Sequence, residues 1–240
     1  MLTLKSRKTA IIGGTSGIGL ATARLLSERG AEVTIGGRDV RRLEEARDSL
    51  SNGVRTIPVD ATDCDSLKSF FKEAGPIDDL VVTVTRRGGA GPASALADQD
   101  LGDAFEGKPI AHLQAVAEAL PTLDERGSVT LVSAGSAQSA LPGTALLAAV
   151  NGAIEAAVPP LARELAPRRV NAVSPGVIET GWWDTFPEDQ RDATFRQFSD
   201  QTPVGRIGKA DDVAHAICEL IENDYINGVV LPCDGGLRLT

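Results

Sequence analysis

The sequence predicts a doubly wound α/β domain, a parallel sheet covered by helices on both faces, and three observations predict it. Short β-branched runs alternate with amphipathic runs along all 240 residues. The strand-like runs are apolar at nearly every position, as expected of strands buried on both faces. A glycine-rich turn joins the first strand to the first helix.

The elements follow in order. Ala10-Ile11-Ile12 leads through the glycine turn into a helix-like stretch at 19–29. Val33-Thr34-Ile35 comes next, and Asp39, with its short acceptor side chain, reads as the N-cap of a stretch at 41–50. Thr56-Ile57-Pro58-Val59 precedes 66–73, and Leu80-Val81-Val82-Thr83-Val84 precedes a long helical stretch at 101–123. Val129-Thr130-Leu131-Val132 precedes a helix at 146–165, which Pro159-Pro160 is expected to kink or break. After Val170-Asn171-Ala172-Val173 comes the longest irregular stretch, 174–208, expected to hold one or two short helices. A helix at 211–221 and a strand at 228–231 close the series. No repeat, low-complexity tract or linker interrupts it. The whole of 1–240 therefore reads as one domain, with about 176–208 as a lid over a site.

Composition removes several function classes. A net charge of −9 opposes non-specific nucleic-acid binding, which needs a basic surface, and gives no support to docking on an anionic membrane. The stretch 127–154 carries no charge, but Pro142, Gly143 and Asn151 interrupt it, so it reads as a buried strand, loop and helix rather than a membrane span. Residues 1–8 lack the apolar region of a signal peptide. Cys64, Cys218 and Cys233 are scattered and have no nearby histidines, which suits a reducing cytoplasm and offers no metal site.

The turn reads Gly13-Gly14-Thr15-Ser16-Gly17-Ile18-Gly19 and runs directly into a helix. Glycines let backbone N–H groups approach a pyrophosphate, and the helix N-terminus adds positive potential, so the turn points to a dinucleotide. The second strand ends Ile35-Gly36-Gly37-Arg38. An acid there holds a ribose 2′-hydroxyl, whereas an arginine accommodates a 2′-phosphate. Gly37 in the acid's place and Arg38 after it favour NADP(H) over NAD(H).

The spacing Gly13…Gly17…Gly19 resembles the T-G-x-x-x-G-x-G pattern of the short-chain dehydrogenase/reductase family, with Ile12 at the threonine. Arg169-Val170-Asn171-Ala172-Val173-Ser174-Pro175-Gly176, Pro203-Val204-Gly205-Arg206 and Asp234-Gly235-Gly236 resemble its later signatures, so the likeness spans essentially the whole chain. The resemblance implies a Rossmann fold. It also implies cofactor contacts from Gly13, Thr15, Ser16, Gly17, Ile18, Gly19, Arg38, Asp60, Ala61, Thr83, Pro175, Gly176, Ile178 and Thr180. Members commonly form dimers or tetramers through two long helices, and the alanine-rich stretch after Pro142 suits such a homo-oligomer.

The family's carbonyl chemistry resides in an Asn-Ser-Tyr-Lys tetrad, and this chain departs from it throughout. Aligned on Leu161-Ala162-Arg163-Glu164-Leu165-Ala166, Leu147 takes the tyrosine position and Asn151 the lysine position. Ala134 takes the serine position, with Ser133 one residue early, and Lys108 takes the asparagine position. No shift of register restores a tyrosine, because the only one is Tyr225, in a turn where the family often packs an aromatic. General acid–base help is worth about 10²–10⁴-fold, so the usual mechanism is excluded.

Lys108 is the only lysine or arginine within 88–125, and a helix would put His112 on its face. The expectation is that Lys108, with His112, Ser133 or Thr144, supports an altered proton transfer. An ion pair of Lys108 with Asp103 or Glu106 is the structural alternative. Trp182-Trp183 in the lid suits an apolar substrate or an anchor for the lid. Three functions stay open: an atypical NADP(H)-dependent oxidoreductase acting on a small carbonyl or alcohol, an inactive NADP(H)-binding regulator or partner subunit, and a non-redox isomerase or dehydratase.

Overall fold

The strand-like runs enter one parallel sheet. In the computed structural model, which describes residues 3–50, 53–86, 88–99 and 101–240, they are β1 (Lys8–Ile12), β2 (Glu32–Gly37), β3 (Arg55–Pro58), β4 (Ile77–Val82), β5 (Leu123–Val132) and β6 (Arg169–Pro175). A separate ladder pairs β7 (Ile178–Glu179) with β8 (Gly208–Lys209), and β9 (Val230–Cys233) returns to the main sheet. The strand order is β3-β2-β1-β4-β5-β6-β9. It reverses between β1 and β4, and the carboxyl ends around that switch form the crevice where such sheets bind ligands.

The helices are α1 (Gly17–Glu28), α2 (Val40–Ser49), α3 (Cys64–Ala74), α4 (Leu101–Phe105), α5 (Ala111–Ala119), α6 (Ala145–Glu164), α7 (Glu188–Gln201) and α8 (Ala210–Glu222). Leu26, Leu43, Val213 and Ile217 pack with Ile11, Ile35, Val81 and Val173 on one face. Leu67, Phe70, Ala115, Ile154 and Val158 pack with Ala10, Ile12, Leu80 and Leu131 on the other. Neighbouring strand residues thus serve opposite cores, which is why these strands carry no polar alternation.

Four expectations change. The stretch 101–123 is not one helix: a π-helical turn (Glu106–Ile110) separates α4 from α5, and β5 begins at Leu123. Pro109 brings no N–H to the ladder, and the turn widens around it. The pair Pro159-Pro160 does not break α6, which runs from Ala145 to Glu164. Both prolines are exposed, while Val158 and Ala162 beside them are fixed in the core. The irregular stretch holds a 14-residue helix, α7, with no buried residue. Its polar composition left no apolar stripe to read. Tyr225 is 96% exposed and packs no turn.

Helix α6 is long and apolar enough to cross a membrane, but its Leu146, Val150, Ile154 and Val158 are buried within the protein. Asp39 caps α2 as expected, accepting from the Arg42 N–H at 3.2 Å. Asp39→Ala is expected to cost about 1 kcal/mol in urea denaturation and to leave the cofactor preference unchanged.

Candidate functional site

The glycine turn has room for no side chain at Gly13, Gly14 and Gly19. Gly13 has φ +96°, and a Cβ there would stand 2.6 Å from Thr83 Oγ1. A Cβ at Gly19 would stand 2.2 Å from the Gly13 carbonyl oxygen. Thr83 closes the turn by donating its hydroxyl to that same oxygen at 3.0 Å. Ser16 precedes α1 without a side-chain cap, so the first-turn N–H groups retain their donors. Thr15 lies against Gly37, and Ile18 packs partly on the core. Across the turn, Thr180, which follows β7, stands over Gly17.

Beyond β2, Arg38 is exposed and makes no ion pair among the described residues. After β3, Asp60 accepts from the Thr62 N–H at 3.0 Å and the Thr62 hydroxyl at 2.8 Å. Burial pushes the Asp60 carboxyl up, but those two bonds and the fields of Arg38 and Arg86 hold it below its ordinary value. Ala61 turns into the core. At the end of β6, the Gly176 N–H donates to the Cys233 carbonyl at 3.1 Å, and a Cβ on Gly176 would meet the Asp234 backbone at 2.9 Å. Ile178 is buried in β7, and its carbonyl takes the Trp183 indole N–H at 3.0 Å. Trp182, Trp183, Phe186 and Phe195 form one aromatic cluster, with neighbouring ring centroids 4.8–5.7 Å apart.

The residues at the family's tetrad positions lie on the π-turn, just after β5 and in the first two turns of α6. Ala134 follows β5 and presents a methyl group. Leu147 lies against Gly89, where a Cβ would be 3.2 Å from its Cδ2. Asn151 is buried and donates to the Leu147 carbonyl at 2.8 Å and to Ser136 Oγ at 3.2 Å. Its Oδ1 is buried without a partner among the described residues.

Lys108 is buried on the π-turn, and its ammonium donates to the Ser133 carbonyl at 3.3 Å, next to Ala134. Burial pulls its pKa down to about 8, and Glu155 opposes that shift. It pairs with neither Asp103 nor Glu106; Asp103 pairs with Arg86, and Glu106 is exposed. His112 Nδ1 lies 2.8 Å from the Lys108 carbonyl and braces the turn. Burial pushes the His112 pKa to about 3, so its ring is uncharged at neutral pH and is no cationic acid. Thr144 spends its hydroxyl on the Leu141 carbonyl at 2.7 Å.

Sequence reasoning missed Glu155. Its Oε1 accepts from Ser133 Oγ and Ser174 Oγ, each at 2.8 Å, and its Oε2 accepts from Gln138 Nε2 at 2.7 Å. One signal was available: Glu155 is the only charged residue in 127–162. A lone charge on a helix that is otherwise apolar needs a reason to be there.

The switch-point crevice and the closed glycine turn define a nucleotide-binding Rossmann protein. The family model described as enoyl-(acyl carrier protein) reductase matches residues 13–238. A curated relative, short-chain dehydrogenase/reductase ATR9 of Stachybotrys chlorohalonatus, is 30% identical over all of both chains. The structure of the MalC reductase/Diels-Alderase from Malbranchea aurantiaca superimposes with a TM-score of 0.92 at 27% identity, covering 99% of this chain and 98% of that one. A small-chain dehydrogenase in complex with NADPH gives 0.86 at 31% identity, covering 98% and 100%. The chain belongs to the short-chain dehydrogenase/reductase family of oxidoreductases, which use a nicotinamide cofactor.

Proposed function

We propose that the protein is an NADP(H)-dependent oxidoreductase of small carbonyl or alcohol substrates in which Lys108 replaces the family's tyrosine as proton donor. One observation carries the reading: a buried ammonium stands at the Ser133 carbonyl, beside the alanine that replaces the family's serine. An ammonium has three donors. Ser133 takes one, leaving donors for a substrate oxygen.

The residues present fit the cofactor. Gly13 and Gly19 leave a cradle that any Cβ would fill, and the first turn of α1 keeps its N–H groups for a phosphate. Thr15, Ser16, Gly17, Ile18 and Thr180 border that cradle, and Asp60 and Ala61 border the adenine end. Arg38 answers a 2′-phosphate. Pro175, Gly176 and Ile178 flank the nicotinamide. When bound, the nicotinamide supplies or accepts the hydride. Lys108 donates a proton to the substrate oxygen during reduction and takes it back during oxidation. The aromatic cluster of the lid excludes water and favours an apolar flank on the substrate.

The lysine sets the pH dependence. Reduction needs the ammonium, which is present below its pKa of about 8 and is lost above it. The rate of carbonyl reduction is therefore expected to be highest below pH about 8 and to fall about tenfold per unit beyond it. A rate profile that is flat through that range would exclude Lys108 as the donor. Arg38→Ala is expected to weaken NADPH binding about tenfold and to leave NADH binding unchanged, as read by fluorescence titration. The reading as a whole is tested by following NADPH absorbance across a panel of ketones and aldehydes. Consumption with an apolar carbonyl supports it, whereas tight binding of NADPH with no consumption marks a binding protein instead.

A further inference from the structure

Glu155 holds a charge that its own neighbours do not neutralise. Both carboxylate oxygens act as acceptors, and their three donors, Ser133 Oγ, Ser174 Oγ and Gln138 Nε2, are all neutral groups at 2.7–2.8 Å. No lysine, arginine or histidine forms an ion pair with it among the described residues. A half-buried carboxylate without a cation is costly, and neutral hydrogen bonds offset only part of that cost. The cation that faces it is Lys108, and the two meet on a single residue: Ser133 gives its carbonyl to the Lys108 ammonium and its hydroxyl to Glu155.

The other groups around Lys108 carry no competing charge. His112, from α5, is an uncharged ring braced on the Lys108 carbonyl. Beside β4, Arg86 packs on Gly107 but is paired with Asp103. The residue that follows β5, Ser133, contributes its carbonyl and hydroxyl, and α6 contributes Glu155. Strand β6 contributes Ser174, whose hydroxyl is spent on the same carboxylate.

We propose that Glu155 is a positioning residue for Lys108: gripped by Ser133, Ser174 and Gln138, it fixes the end of β5 that seats the ammonium and supplies the charge that keeps this nitrogen protonated. The proposal rests on Lys108 as the proton donor, but its test does not need turnover. A purely structural Glu155 would hold β5, β6 and α6 together without setting the titration of Lys108.

The test is a carbon NMR titration of the six lysine side chains in the cofactor-free protein, with Lys108 assigned by its loss in Lys108→Met. Glu155→Gln removes the charge and keeps the shape, and it is expected to lower the Lys108 midpoint by about one unit. The alkaline limb of the rate profile should move with it. Glu155→Asp keeps the charge and is expected to hold the midpoint within a few tenths of a unit while turnover falls as the grip loosens. A Lys108 midpoint unchanged in Glu155→Gln, or moved equally by both variants, overturns the proposal. Should Glu155→Gln fail to fold, Glu155→Met decides. It removes the charge with an apolar side chain that needs no donor, so the Lys108 midpoint should fall by about one unit, and no movement overturns the proposal. Failure of Lys108 as the proton donor would show separately, as unchanged turnover in Lys108→Met.

Discussion

Lys108→Met is expected to give a folded protein whose carbonyl reduction is lower by about 10²–10⁴-fold, the usual worth of a positioned acid. Methionine fills similar space without the charge, and the buried site otherwise asks for an apolar group, so stability should hold or rise. NADPH should still bind, because the cradle lies on the other side of the sheet's switch point, at Gly13 and Gly19. The expected signature is therefore a fall in kcat with cofactor affinity intact, read from steady-state rates and a fluorescence titration side by side. Unchanged kcat would return Lys108 to a structural role and leave the tetrad positions without a proton donor.

Gly19→Ala carries the second large effect. The added Cβ would stand 2.2 Å from the Gly13 carbonyl oxygen and 2.7 Å from Thr83 Oγ1, and the first of these is backbone that cannot swing aside. The turn must open, which breaks the Thr83 latch on Gly13 and moves the first N–H groups of α1. Overpacking of this kind costs about 1–3 kcal/mol, so NADPH affinity is expected to fall about 10- to 100-fold. Gly152→Ala is the control: no atom lies within 4 Å of a Cβ there, and it lies in the interior of α6, where alanine is the better helix former. Equal NADPH affinity in Gly19→Ala and wild type would remove the glycine turn from the cofactor site.

The fold and the cofactor end were legible because their signals are local. Gly13, Gly17 and Gly19 answer to backbone geometry, and runs such as Leu80-Val81-Val82 answer to burial on both faces. The family's tetrad positions were legible only as an absence, since Leu147, Ala134 and Asn151 show which residues are missing. Lys108 stood out as an isolated cation, but its placement depends on a π-turn at Pro109 that helical spacing does not announce. Glu155 was hidden because its partners come from the segment after β5 and from β6, each distant in sequence. The exposed pair Pro159-Pro160 does not end the helix: local chemistry opposed it, and the buried residues on either side of the pair prevailed.

The most direct measurement is the transfer of label from NADPH deuterated at the reactive nicotinamide carbon. In a single turnover with an apolar ketone, wild-type protein is expected to deliver deuterium to the carbinol carbon of the product, and Lys108→Met to deliver none on the same timescale. Bound, unreacted NADPH with every carbonyl offered, or equal label transfer by both proteins, would contradict the account.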